Sequence, residues 1–178
     1  MSPALVIVTG APGTGKTTLA RALARELGLA ILTKDDIKER LADELGPGDR
    51  ERSRELGRMA YAEMYERAAR TLAAGDGVVL EANFHRRFAE PILCGLATKG
   101  EAVVIECVCD PRLRRQRFAD RGARGERHRV HLDDEILANE WTDDAAEFSV
   151  DVGGPRLVVG TDDRVDIAAI TEFVRSAR

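Results

Sequence analysis

The chain has 178 residues, of which 44% are hydrophobic and 33% charged, with a formal net charge of −4. That length suits one α/β domain with a sizeable core, and no apolar run approaches the roughly 20 residues that a membrane span needs. The negative balance excludes recruitment of nucleic acid by bulk electrostatics, and three cysteines without a CxxC pair, Cys94, Cys107 and Cys109, read as reduced thiols of a cytoplasmic protein.

Short apolar runs alternate with longer amphipathic segments, the pattern of βα repetition and a parallel sheet. Residues 4–9 are the first predicted strand. No basic segment or cleavage site precedes them, so a signal peptide is not expected. A glycine-rich loop follows, then a helix over 16–27 stopped by Gly28, and a second strand over 29–32. Residues 35–45 and 51–74 read as helices, the latter with Leu56, Met59, Ala60, Met64 and Ala68 at helical spacing. A third strand is expected over 78–80, a helix over 86–97 containing Pro91, and a fourth strand over 102–108. Asp110-Pro111 opens the next helix, with Asp as N-cap and Pro in the first turn. Arg121-Gly122-Ala123-Arg124-Gly125 interrupts it with a polar loop. An acidic helix over 133–148, a fifth strand over 157–159 and a closing helix over 165–174 complete the chain, which is read as one domain over 1–178.

The segment Gly10-Ala11-Pro12-Gly13-Thr14-Gly15-Lys16-Thr17, followed by Thr18, matches the phosphate-loop pattern in full. An apolar strand precedes it and a helix begins inside it. Glycines let the backbone wrap phosphates with its N–H groups, and the helix N-terminus adds a positive dipole end. Lys16 supplies a point charge for the β- and γ-phosphates and Thr17 a hydroxyl for Mg2+, so ATP with Mg2+ is the expected ligand pair. No Asn-Lys-x-Asp guanine motif is present.

Asp35 follows the second strand, whose carboxyl end faces the ligand crevice. It is a candidate general base for an acceptor hydroxyl. Alternatively it caps the next helix, although Asp36 suits that task better. Glu81, at the end of the third strand, could hold a Mg2+ water or orient an acceptor, or simply face solvent. Asn83, His85 and Arg86 follow it. Arg112, Arg114, Arg115, Arg117, Arg121, Arg124, Arg127 and Arg129 crowd a lid candidate over about residues 112–131. Arg114, Arg117 and Arg121 fall on one helical face, fit to clamp phosphates; an ordinary solvated charge face balanced by the acids after it is the alternative.

Four segments, GAPGTGKTT, TKDDIK, VVLEANFHRR and CDPRLRRQRFADRG, come in the order and spacing of the small P-loop kinases. The chain resembles that group, which includes polynucleotide 5'-kinase domains, zeta toxins, chloramphenicol phosphotransferases and gluconate- and shikimate-kinase-like enzymes. The resemblance implies a three-layer α/β fold with a parallel five-stranded sheet of order 2-3-1-4-5. It implies that Lys16 and Thr17 serve phosphate and metal, that Asp35 is the base, that Arg117 and Arg121 are lid arginines, and that Thr161-Asp162 hold the adenine edge. It departs from the polynucleotide-kinase pattern at Lys38, where Arg stands there, and at Glu81, where Asp stands there. Both differences turn the expectation to a small-molecule acceptor such as a sugar, an antibiotic or a nucleoside; a polynucleotide 5'-hydroxyl kinase used in repair and a toxin-like or regulatory nucleotide binder are the alternatives. The acceptor pocket is expected beside Asp35, Lys38, Arg40, Arg54, Arg58, Glu81, Asn83, His85 and Arg86. The oligomeric state is left open.

Overall fold

The computed structural model describes residues 2–124 and 128–177. Gly125 and Arg127 of the expected lid lie outside the described residues. Five strands, β1 (Ala4–Thr9), β2 (Ala30–Thr33), β3 (Val78–Glu81), β4 (Glu101–Val108) and β5 (Arg156–Gly160), form one sheet. Its order is β2-β3-β1-β4-β5 and every pairing is parallel, as the resemblance implied. Among the described residues seven α-helices join them: α1 (Lys16–Leu27), α2 (Lys34–Leu45), α3 (Arg50–Ala73), α4 (Arg86–Ala97), α5 (Pro111–Ala123), α6 (Asp133–Asn139) and α7 (Ile167–Ser176).

The central strand β1 is buried on both faces, so it reads as an unbroken apolar run rather than an alternating one. Its side chains divide by period two. Leu5 and Ile7 join the core under α2, α3 and α4, whereas Val6 and Val8 join the opposite core under α1 and α7. Leu19 and Leu23 of α1 are fully buried there, each contributing about 1.5–3 kcal/mol by burial. The register places Val8 beside Glu81 and Thr9 beside Glu106, so the strand ends that hold the loop and the acid come level. Among the described residues no helix is long and apolar enough to cross a membrane.

Several boundaries differ from the sequence expectation for local reasons. Helix α2 starts one residue early because Thr33 is its N-cap, its hydroxyl accepting from Asp36 N at 3.2 Å. Neither Asp35 nor Asp36 caps the helix; Asp36 is bound by Arg21 at 2.8 Å. Helix α5 continues through Ala123, beyond the expected break at Arg121. The acidic helix expected over 133–148 is not continuous: α6 ends at Asn139 and a 3-10 turn occupies Ala146–Phe148. Between them Thr142 Oγ1 accepts from Asp144 N and Asp144 Oδ1 from Ala146 N. Those local bonds compete with the helical ladder and win. Pro91 is accommodated inside α4 on its exposed side.

Candidate functional site

The loop from Gly10 to Thr17 leaves β1 with left-handed or extended glycines. Gly13, at φ 85°, is the tightest point: a Cβ there would lie 2.4 Å from the Arg114 carbonyl oxygen. The glycine therefore serves two ends, a backbone conformation that side chains disfavour and contact with α5. Gly10 meets the Cys107 carbonyl in the same way. Thr14 is held from both sides, its hydroxyl donating to Ala11 O at 2.9 Å and its carbonyl accepting from Thr161 Oγ1 at 2.6 Å.

Lys16 is 8% exposed, and its Nζ donates to Ala11 O at 3.3 Å. Burial lowers its pKa, while Glu81 and Asp35 nearby pull it back up. Glu81 is 3% exposed, which replaces the picture of a solvent-facing strand-end acid. Burial raises its pKa, opposed by Lys16, and the Thr17 hydroxyl hydrogen-bonds its carboxylate. One hydroxyl and one carboxylate beside a phosphate cradle are the hard-oxygen donors that Mg2+ takes together with substrate phosphates. Among the described residues no cluster of three or more His, Cys, Asp or Glu could hold a metal by itself. Thr17 and Glu81 therefore fit Mg2+ as a companion of the nucleotide.

A cavity of about 430 Å³ collects Pro12, Gly13, Gly15, Lys16, Thr17 and Thr18 with Asp35, Lys38, Arg58, Asn83 and Arg121. Asp35 is bound by Lys34 Nζ at 3.1 Å. Lys38 Nζ donates to Ser53 Oγ at 2.7 Å, and Ser53 passes the chain on to Val130 O at 2.6 Å. Residues that sequence reasoning missed complete this cavity. His131, nearly fully buried, sets Nε2 2.8 Å from Glu39 Oε1 and Nδ1 3.9 Å from Asp35 Oδ1. Arg50, which was not foreseen, joins the expected Arg54 on Glu140, Arg50 Nε at 2.7 Å and Arg54 Nη2 at 3.0 Å. Tyr61 donates to Asn83 O at 2.8 Å. No motif marks these positions; the basic i, i+4, i+8 spacing of Arg50, Arg54 and Arg58 on α3 was the available signal.

Three expected pocket residues lie elsewhere. Arg40 is spent on Glu44 at 2.6 Å and Glu63 at 2.5 Å. Arg86 is bound to Glu90 at 3.3 Å, and His85 to Glu147 at 2.5 Å. Arg40 and Arg86 follow the helix phase, which turns them off the cavity, whereas His85, the N-cap of α4, lines a separate cleft between α3 and α4.

A second cavity of about 500 Å³ lies on the other side of the loop, with Thr18, Arg117, Arg121, Arg124, Thr161, Val165 and Ile167 in its wall. Gly13, Gly15, Leu19 and Ala22 bring its apolar part against the loop. Arg117 donates to Thr161 O at 2.9 Å and to Asp162 O at 3.1 Å, tying α5 to the segment after β5. The Asp162 carboxylate accepts from Asp110 N at 2.8 Å and does not line this cavity. The arginines expected on one face thus separate by task. Arg114 is 1% exposed, donates to Thr142 O at 2.6 Å and lies 4.9 Å over the Trp141 ring. Arg117 lines only the second cavity, and Arg121 lines both.

A sequence profile described as AAA domain matches residues 5–140. A solved structure of a candidate kinase from Chloroflexus aurantiacus J-10-fl is similar over 100% of both chains, with 36% identity and a TM-score of 0.88. A shikimate kinase of Saccharopolyspora erythraea is 43% identical over 84 residues, 44% of this chain and 43% of that one. An uncharacterised Mycobacterium tuberculosis protein is 29% identical over 114 residues, 59% of this chain. The chain spans only 22% of the length of that relative, and of its equally similar mycobacterial counterparts.

Proposed function

The chain belongs to the AAA-domain family in its P-loop kinase-like branch, and from that premise we propose that it moves the γ-phosphoryl group of ATP to a hydroxyl of a small molecule. The observation that carries the reading is the convergence of Lys16, Thr17, Arg121 and an uncapping Asp35 on one cavity. Thr33 supplies the cap of α2, and the Asp35 carboxylate accepts from Lys34 Nζ at 3.1 Å.

In the proposed reaction the acceptor oxygen attacks the γ-phosphorus, the bond from that phosphorus to the β-phosphate oxygen breaks, and ADP leaves. The hydroxyl proton passes to Asp35. The loop amides, Lys16 and Arg121 carry the charge of transfer, and positioning supplies most of the acceleration. Mg2+, held by Thr17 with Glu81 behind it, would neutralise the phosphate oxygens. Arg117 and Thr161 frame the base, and Lys38, Arg58 and Asn83 face the acceptor. The lid over 112–131 and the rest of the chain work as one domain in this reading.

Two features weigh against a polynucleotide end as acceptor. Lys38, at the place of that pattern's arginine, is buried against Ser53, and Arg40 is occupied by two glutamates. The test is a transfer screen with ATP and Mg2+ against sugars, aminoglycosides, nucleosides and 5'-hydroxyl oligonucleotides, with Asp35→Asn beside the parent. Transfer to a free small alcohol that Asp35→Asn cuts by about 10²-fold or more, with ATP affinity kept, is the expected result. Label on oligonucleotide ends alone would support the repair-type alternative. ATP binding with no transfer to any acceptor would leave a regulatory nucleotide binder.

A further inference from the structure

Beside the phosphate cavity, and sharing Arg58 and Tyr61 with it, a cleft of about 510 Å³ opens between α3 and α4. Tyr65, Phe88, Ile92 and two alanines form most of its wall. Phe88 is 66% exposed and Ile92 45%, four residues apart on one face of α4. Neither packs into the core, whereas Phe84 directly before them is fully buried.

The aromatic side of the cleft is a stack of rings. Tyr61 and Tyr65 stack with ring centres 5.9 Å apart and planes 25° apart, and Tyr65 stacks in turn on Phe84 at 6.4 Å. Tyr61 also joins the cleft to the transfer site. Lys34 Nζ lies 5.8 Å over its ring and 3.1 Å from Asp35 Oδ1, and its hydroxyl holds the Asn83 carbonyl. Asn83 lines the phosphate cavity, and its side-chain Oδ1 is buried without a hydrogen-bond partner among the described residues. A buried acceptor atom of that kind calls for a donor from a ligand.

We propose that this cleft is the subsite for the body of the phosphoryl acceptor, and that the acceptor is an alcohol on a flat, apolar or aromatic frame with a donor for Asn83 Oδ1. The cleft wall has no carboxylate, amide, serine or threonine; its polar residues are Arg58, Tyr61, Tyr65 and His85, of which His85 binds Glu147 through Nε2 and keeps a buried Nδ1 without a hydrogen-bond partner among the described residues. A sugar or polyol would leave several hydroxyls desolvated there, a loss that a ring face does not incur. The reaching hydroxyl lies toward Asp35 and the body toward Phe88. The inference rests on the phosphotransferase reading and selects among its acceptors.

The test uses the full chain with ADP and Mg2+. Adenosine and 1-phenyl-1,2-ethanediol serve as aromatic probes, glucose and gluconate as polyol probes. Ligand-observed saturation-transfer NMR reads binding without turnover, and ADP release from ATP reads transfer. The aromatic probes should bind through their ring protons, and Phe88→Ala should weaken them about tenfold, the loss of one well-packed apolar contact. ADP affinity should stay within about twofold of the parent, since Phe88 lines neither nucleotide cavity. Ile92→Asp should act in the same direction. Polyols binding as well as the aromatic probes, or aromatic binding indifferent to Phe88→Ala, would overturn the assignment. So would a dimer in sedimentation that Phe88→Ala dissolves, because a second copy would then cover the cleft. Aromatic binding that depends on Phe88 without any ADP release would sink phosphoryl transfer and keep the ligand class.

Discussion

Two buried ions of opposite sign set the behaviour of single residues here. Lys16 and Glu81 share the floor of the loop, and each is held off its ordinary pKa by burial while the other draws it back. Lys16→Ala removes the point charge and leaves Glu81 without its counter-ion. We expect ATP affinity to fall by about tenfold or more in a calorimetric titration, a charge-assisted bond being worth roughly 1.5–3 kcal/mol. Glu81 gives a sign that can be checked against pH. Its folded pKa lies above the ordinary 4.5. Between those two values the folded chain therefore binds more protons than the unfolded one, and this group's contribution to stability declines as pH rises through the window. Glu81→Gln removes the decline. The urea-unfolding free energy of the variant, minus that of the parent, should grow as pH is raised from 4.5 toward neutrality; a flat difference would contradict a buried carboxyl.

Helix ends and the lid show the next level. Thr33 is a true N-cap, whereas Asp36 forms a half-exposed ion pair with Arg21. Thr33→Ala should cost about 1 kcal/mol in denaturant unfolding, and Asp36→Ala no more than about half to one. An inverted ranking would restore the aspartate as the cap. Along α5 the arginines diverge because a helix turns 100° per residue and each meets a different neighbour. Arg117 grips two carbonyls after β5, and Arg121 stands between the two cavities. Arg117→Ala should weaken nucleotide binding, read as a rise in the KM for ATP. Arg121→Ala should lower kcat more than it raises that KM. If both variants lower kcat alone, Arg117 also reaches the transferred phosphate. The return from the lid is pinned to the acceptor side by His131 on Glu39, by Ser53 on Val130 O and by Glu140 on Arg50 and Arg54.

The two cores on opposite faces of one sheet share β1, β3 and β4, so neither can melt alone without exposing the other. We therefore expect a single cooperative unfolding transition over the whole chain, coincident by circular dichroism and by Trp141 fluorescence. ATP with Mg2+ at a hundred times its Kd should raise the unfolding free energy by about 2.7 kcal/mol. Two separated transitions would mean that the lid and its return form an independent unit.

Contiguity divides what could be read in advance from what could not. The phosphate loop, the strand–helix alternation and the acids at strand ends are consecutive residues whose chemistry is complete within a few positions. The amino-acid sequence alone therefore determined the nucleotide site and the α/β class, and its resemblance to known kinases supplied the strand order. His131 comes to Asp35, Ser53 to Lys38, Tyr61 to Asn83 and Glu140 to Arg50 from other elements of the chain, and only tertiary packing decided that they meet. Packing likewise decided which arginine became a buried strut, which a clamp and which the lining of both cavities, and that Thr33 rather than Asp35 or Asp36 capped α2. A side chain's direction is set by its helix phase against neighbours that local spacing does not contain.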